Sequence, residues 1–296
     1  MIKRQVALVW AACLVALAAG CKGRAGRGEV DAGKPDGSEM EAHLPPMQLI
    51  PPIYFSVIGQ VDANRYPFLV MIGASPPLDG STHELICNGV LFASNLVLTA
   101  AHCVCAASGG EAIRYDGSQC AAKAEVRVDS PPPNERKSAT MEFINGSVLV
   151  HPLFQMTLDA QGTVVTSRAD LAIIRLERPA MPSIRPARVA TIDVQTGEVL
   201  SVVGYGHAEN PGVLFHRYFS QEKVRTSAVD DRLFFRSMDE AAYQGDMGGP
   251  CLRETVDGSE LVGISQRGLG LRPACTNIAP YREWLEKQIQ LGDERH

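Results

Sequence analysis

The chain has 296 residues, of which 45% are hydrophobic and 21% are charged, a balance that excludes a disordered, collagen-like or coiled-coil protein. Its formal net charge of −5 leaves no basic excess to neutralise phosphates, so the composition gives no support for nucleic-acid binding. After the first twenty positions no apolar run reaches the roughly 18 residues that a membrane-spanning helix needs, which excludes a polytopic membrane protein.

The first twenty residues are typical of an export signal. Two basic residues precede the short apolar run 6–19, and Gly20-Cys21-Lys22 follows it at once. The segment resembles a bacterial lipoprotein signal. That resemblance implies lipid on Cys21, and the lysine after it favours the outer membrane. The alternative is an ordinary secretory signal that is cleaved near Ala18 or Ala19, with an incidental Cys21.

The next stretch, residues 22–52, is rich in Gly and Pro and shows neither helical nor strand periodicity. Such a composition predicts a flexible tether. The sequence therefore predicts a signal peptide (1–20), a lipidated tether (21–56) and one folded domain (57–296).

Six cysteines remain in the exported domain once Cys13 in the signal and Cys21 are set aside. An even number in an exported chain predicts disulfides, although the sequence alone does not choose among the possible pairings. A zinc site is not expected, because Cys103 and Cys105 have no CxxC or HxxxH partner nearby. We expect no metal and no other cofactor.

From Val57 onward, short apolar or alternating runs are separated by turn residues, a pattern that predicts an all-β sandwich or a pair of barrels. Only residues 280–289 have helical spacing, with apolar side chains at 281, 284, 285 and 289. We expect a β-body closed by one C-terminal helix. The stretch 104–147 is interpreted as an enlarged surface loop, where partners are often met.

Two groups that acyl transfer requires stand beside apolar strands. His102 lies in the segment LTAAHC, and Asp170 directly precedes the strand LAIIRL, from which its carboxylate can orient a histidine. A surface-loop histidine and a turn aspartate are the simpler alternatives. His151 and His207 are interpreted as structural or solvated residues.

The third motif is QGDMGGP, at residues 244–250. Together with CNGVLFASNLVLTAAHC at 87–103 and TNIAPYREWL at 276–285, it resembles the chymotrypsin/trypsin family of serine peptidases. The resemblance runs from about Val57 to Ile289, in the order His, Asp, nucleophile loop. It implies two six-stranded antiparallel β-barrels, with the site in the cleft between them, and a C-terminal helix.

The resemblance also assigns roles. Met247 takes the position of the nucleophilic serine, and a thioether has no proton to give to His102. The N–H groups of Gly245 and Met247 would form the oxyanion hole. The Met247 side chain either fills the space in front of His102 or offers an apolar contact to a bound peptide.

Two further features of the family are altered. The specificity pocket would hold Ala241 where trypsin-like members have an aspartate, and its wall would hold Arg267 and Gly268. The family's activation pair would be Val57 and Asp246. Because a serine, not Arg or Lys, precedes Val57, we expect the chain to remain uncut there.

The resemblance pairs Cys87 with Cys103. A short loop favours Cys105 with Cys120. Elimination then leaves Cys251 with Cys275, on strands that the family fold makes adjacent.

The sequence favours an exported lipoprotein of the bacterial outer membrane that binds a protein or peptide ligand, contacts the membrane through Cys21, and is a catalytically silent pseudoprotease. Two alternatives remain at this point. One is an active serine endopeptidase with an atypical nucleophile, and the other is a structural envelope lipoprotein.

Overall fold

A computed structural model describes residues 65–77, 85–108, 113–130, 140–205, 218–235, 247–269 and 272–293. All of them belong to one unit that spans residues 45–296. The predicted signal peptide and tether, including Cys21, lie outside the described residues, as does His207.

The described elements are sixteen strands and one α-helix. In chain order they are β1 (Leu69–Ala74), β2 (Leu85–Ala93), β3 (Leu96–Thr99), β4 (Ile113–Tyr115), β5 (Lys123–Ser130), β6 (Thr140–Val150), β7 (Gln155–Leu158), β8 (Val164–Arg168), β9 (Ala172–Leu176), β10 (Arg188–Val189), β11 (Val199–Gly204), β12 (Tyr218–Val229), β13 (Arg232–Phe235), β14 (Pro250–Thr255), β15 (Gly258–Leu269), β16 (Arg272–Asn277) and α1 (Arg282–Asp293).

Six antiparallel strands form the first barrel, in the hydrogen-bonded order β1-β2-β3-β9-β6-β5, and it closes because β1 pairs with both β2 and β5. Its core consists of the apolar runs recognised in the sequence. Leu96, Leu98 and Ile173 are fully buried, and burial of such a side chain stabilises the fold by about 1.5–3 kcal/mol.

The second barrel has the order β15-β14-β11-β12-β13-β16, and it closes because β15 also pairs with β16. The short strand β10 joins its outer side in parallel to β15. Leu200, Leu233 and Val262 lie in its core. The prediction of two six-stranded antiparallel barrels is confirmed.

The interpretation of residues 104–147 as one enlarged loop is wrong. This stretch contains β5 and most of β6, which are strands of the first barrel. It also contains β4, which belongs to a separate three-stranded sheet of order β4-β7-β8. The physical reason is that both strands contribute apolar side chains to the barrel core: Val126, Val128 and Ile144 are buried.

Three disulfides join Cys87 with Cys103, Cys105 with Cys120, and Cys251 with Cys275. These are the same pairs that the sequence analysis gave. The first joins β2 to the 3-10 turn that holds Cys103. The third joins β14 to β16, which are not adjacent as expected but lie on either side of β15. Each closed loop of this length stabilises the fold by roughly 3 kcal/mol in the chain-entropy model.

The C-terminal helix begins slightly later than the sequence predicts. A 3-10 turn occupies Ala279–Tyr281, and α1 starts after it. The predicted apolar face packs on the first-barrel core, with Leu285 fully buried and Trp284 and Ile289 partly buried. No helix in the described ranges is long and apolar enough to cross a bilayer.

His151 anchors this helical segment. Its ring lies edge-on to Tyr281 and to Trp284, with centroids 4.7 Å away in both cases. The Leu153 N–H donates to its Nδ1 over 3.2 Å, so this nitrogen is unprotonated. Burial, and secondly the positive charge of Arg168, lower the pKa of His151.

We expect His151 to make the domain less stable in mild acid. Because its folded-state pKa lies below the unfolded value of 6.5, its contribution is complete above pH 6.5 and is lost as the pH falls through the lowered pKa. Urea unfolding at pH 8 and at pH 5 measures this. The His151→Phe variant should lose less stability over that interval than the native chain, and an equal loss in both would contradict the assignment.

Candidate active site

The register between β3 and β9 brings His102 and Asp170 to the same end of the first barrel. Thr99, the last residue of β3, lies opposite Ala172, the first residue of β9. His102 follows this pair by three residues, in a 3-10 turn, and Asp170 precedes it by two. Two apolar strands that the core requires thus place the two polar side chains next to each other.

Two hydrogen bonds join the pair. His102 Nδ1 lies 2.7 Å from Asp170 Oδ2, and the His102 backbone N–H donates to Asp170 Oδ1 over 2.9 Å. Asp170 is completely buried and His102 is 8% exposed. Because the ionised carboxylate only accepts hydrogen bonds, the neutral imidazole carries its proton on Nδ1, and Nε2 has a free lone pair.

Hydrogen bonds from Asn88 hold the backbone of Met247. Its carbonyl oxygen accepts hydrogen bonds from the Asn88 backbone N–H, over 2.8 Å, and from Asn88 Nδ2, over 3.2 Å. Asn88 Oδ1 in turn accepts from the Tyr205 N–H. The Met247 side chain is partly buried and packs against the larger of the two core clusters, which contains residues of both barrels.

Gly248 allows the turn that follows. Its φ of +81° lies in the left-handed region, and a Cβ atom there would meet the Asn88 carbonyl oxygen and the Thr99 hydroxyl. Its N–H donates to the Ser265 carbonyl oxygen, and the Ser265 N–H donates to Gly249. The turn after Met247 is therefore fixed to β15 on one side and packed on the β2–β3 pair on the other.

The disulfide between Cys87 and Cys103 connects the two halves of the site. Cys103 is the neighbour of His102, and Cys87 is the neighbour of Asn88, which binds the Met247 carbonyl. The structure therefore joins His102, Asp170 and Met247 through one disulfide and a few short hydrogen bonds.

Several residues assigned by the sequence analysis are not part of this description. Gly245, Asp246, Ala241 and Val57 lie outside the described residues. Arg267 and Gly268 belong to β15, but only their backbone is described. Their roles in the oxyanion hole, activation pair and specificity pocket remain predictions.

Sequence reasoning missed a second carboxylate behind the pair. Asp231 Oδ2 accepts from the Ala169 N–H over 2.5 Å and from the Tyr281 hydroxyl over 2.7 Å. Ala169, the residue before Asp170, has φ of +49°, a conformation that costs roughly 1–2 kcal/mol for an alanine. Asp231 thus supports the backbone from which Asp170 projects.

Burial raises the pKa of the Asp231 carboxyl, and the charge of Asp170 raises it further, while the hydrogen bonds from Tyr281 and Ala169 act in the opposite direction. Burial and the neighbouring Asp231 also raise the pKa of the Tyr281 phenol. The sequence offers only a weak signal for this carboxylate, because the pair Asp230-Asp231 is also typical of an ordinary turn.

The functional groups of His102, Asp170 and Met247 determine what chemistry they can support. His102 Nε2 can accept a proton, and Asp170 can stabilise the imidazolium that would result. The Met247 thioether offers no proton and no nucleophilic oxygen. Within the described residues, no group of three or more His, Cys, Asp or Glu side chains could hold a metal ion.

Comparison with known proteins agrees with this geometry. A family model described as Trypsin matches residues 58–285, a range that includes His102, Asp170 and Met247. The vitellin-degrading protease of Bombyx mori is 26% identical over 229 residues, which cover 69% of this chain and 76% of that protein. Kallikrein-8 of Homo sapiens is 25% identical over 223 residues, covering 70% and 78%.

Among solved structures, neuropsin, a serine protease expressed in the limbic system of mouse brain, is similar with a TM-score of 0.50 and 20% sequence identity. The match covers 76% of this chain and 95% of that one. At this identity the likeness establishes the two-barrel fold.

Proposed function

Because this chain belongs to the trypsin family, we propose that it is a member without peptidase activity that binds a protein or a peptide in or beside the cleft between its barrels. One observation carries the proposal. Met247 stands in the motif QGDMGGP, at the position where the family has its serine, in a chain that keeps a hydrogen-bonded His102–Asp170 pair. In a comparable serine hydrolase, loss of the serine reduces turnover by about 10⁶.

The intact scaffold supports binding as the remaining role. The His–Asp pair is buried and hydrogen-bonded, and Asn88 and Gly248 hold the Met247 backbone in a defined turn. The partly buried Met247 side chain supports the interpretation that it fills the space in front of His102. An apolar side chain at that place would also contact an apolar group of a ligand.

An active endopeptidase with an atypical nucleophile is the second candidate. The observation that favours it is the same His102–Asp170 pair, whose imidazole retains a free Nε2 lone pair. No serine lies within nine residues of Met247, so such a nucleophile would have to come from outside the QGDMGGP segment.

We also propose that the protein is exported and anchored to the bacterial outer membrane through lipid on Cys21. The support is the charged and apolar start of the sequence, the Gly20-Cys21-Lys22 segment and the three disulfides of the domain. The Cys21→Ser variant is expected to leave the membrane fraction. Retention of that variant in the membrane would contradict a lipid anchor.

Casein, an unfolded protein that can be labelled with fluorescein, serves as the ligand in a test of the binding role. We expect the full chain to raise the fluorescence anisotropy of fluorescein-labelled casein without producing fragments over a day. A larger side chain in Met247→Trp should weaken this binding by about tenfold or more, because it obstructs the cleft. Val256→Trp, on a fully exposed turn of β14–β15, is the matched control and should bind as the native chain does.

The three functional hypotheses give different results in this assay. Casein fragments would contradict the hypothesis of an inactive protein and favour the endopeptidase. No binding at all would favour a structural envelope role. Binding that Met247→Trp and Val256→Trp leave equally strong would place the ligand outside the cleft.

A further inference from the structure

A pocket of about 450 Å³ opens between the β7–β8 hairpin, the β12–β13 turn and the start of the C-terminal helical segment. The residues that matter in its wall are Thr166, Ser167, Arg168, Asp230, Asp231 and Tyr281. Its volume lies in the range of small-ligand sites. Neither the inactive-protein proposal nor its alternative uses this pocket.

Two polar atoms in this wall have no hydrogen-bond partner. They are the hydroxyl of Ser167 and the Oδ1 atom of Asp231, on residues that are 3% and 5% exposed. The other oxygen of Asp231 is already occupied by Ala169 and Tyr281. Because an unpaired buried polar atom is costly, the wall is suited to a group that donates hydrogen bonds.

The charges around the pocket narrow the choice of ligand. Asp230 pairs through Oδ2 with Arg232, 2.6 Å away, whereas Asp231 has a buried Oδ1 atom with no partner among the described residues. Arg168 is an exposed wall residue that forms no ion pair with any described carboxylate. A pure cation would be repelled by this guanidinium, and a pure anion would be repelled by Asp231.

We propose that this pocket binds a small zwitterion of the dipeptide class, with its ammonium group directed to Asp231 and Ser167 and its carboxylate directed to Arg168. An ammonium group supplies the donors that both unpaired atoms require. A carboxylate matches the fork of the guanidinium and removes its repulsion. The Tyr281 side chain, also in the wall, provides a surface for the apolar part of the ligand.

Calorimetry on the full chain with three related ligands tests this assignment. Alanylalanine carries both charges, its N-acetyl derivative lacks the ammonium, and its C-terminal amide lacks the carboxylate. We expect alanylalanine to bind and each blocked derivative to bind about tenfold or more weakly. Equal binding of the acetylated form would show an anion site, equal binding of the amide would show a cation site, and no binding at millimolar concentration would show no site; each result overturns the proposal.

Substitutions inside and outside the pocket wall test whether alanylalanine binds in this pocket. Arg168→Ala should weaken the binding of alanylalanine by about tenfold. It should not weaken the binding of the amide, which has no carboxylate for Arg168 to bind and is no longer repelled by the guanidinium. Thr166→Trp should abolish binding by filling the pocket, without touching the buried network of Asp231. Arg178→Ala removes an exposed arginine that pairs with Glu142, outside the pocket wall, and is the matched control. Loss of affinity in the control, or none in Arg168→Ala, would contradict the site.

Discussion

The native chain is expected to form no covalent adduct with a fluorophosphonate probe, whereas the Met247→Ser variant is expected to become labelled. The variant puts a hydroxyl on a backbone that Asn88 already holds, at the family's nucleophile position. The Nδ1 atom of His102 is engaged by Asp170, which leaves Nε2 to accept the hydroxyl proton. Peptide hydrolysis need not follow, because the altered pocket positions Ala241 and Arg267 are unchanged in this variant.

Two controls make this result specific. In the double variant Met247→Ser, His102→Ala the rate of labelling should fall by about a hundredfold or more, since the serine is then no longer activated. The Met141→Ser variant places a serine at another partly exposed methionine and should not be labelled. An adduct on the native chain that disappears in His102→Ala would overturn the proposed inactivity.

The features that the sequence predicted best are those that periodicity and strand ends determine. The apolar runs around 96–99 and 172–176 became β3 and β9, and their register placed His102 against Asp170. The spacing of Tyr281, Leu285 and Ile289 correctly indicated the C-terminal helix. Each of these signals lies within a short stretch of sequence, where side-chain direction follows from local geometry.

The features that the sequence did not reveal depend on contacts between distant residues. Asn88 and Met247 are separated by 159 positions, and Ala169 and Asp231 by 62. Neither pair has a local pattern, because a single hydrogen bond leaves no periodicity. Strand β5 shows a related limit. Arg127 and Asp129 alternate with Val126 and Val128 as the polar face of an ordinary strand would, but they form a buried ion pair, 3.0 Å apart.

Gly248→Ala is expected to be among the most destabilising single substitutions in the domain. An alanine at φ of +81° costs roughly 1–2 kcal/mol, and overpacking against the Asn88 carbonyl oxygen and the Thr99 hydroxyl adds roughly 1–3 kcal/mol. The free energy of unfolding should therefore fall by about 2–5 kcal/mol. The clash also displaces Asn88 from the Met247 carbonyl, so ligand binding at the cleft should weaken as well.

Gly162→Ala separates the two causes. Gly162 has a similar φ of +78°, but a Cβ atom there meets nothing within 4 Å. Urea unfolding should give a loss of only about 1–2 kcal/mol for this variant, and the excess in Gly248→Ala measures the crowding at the site. Equal losses would mean that backbone strain alone is responsible, and that the tight packing between Gly248, Asn88 and Thr99 does not hold the turn beside Met247.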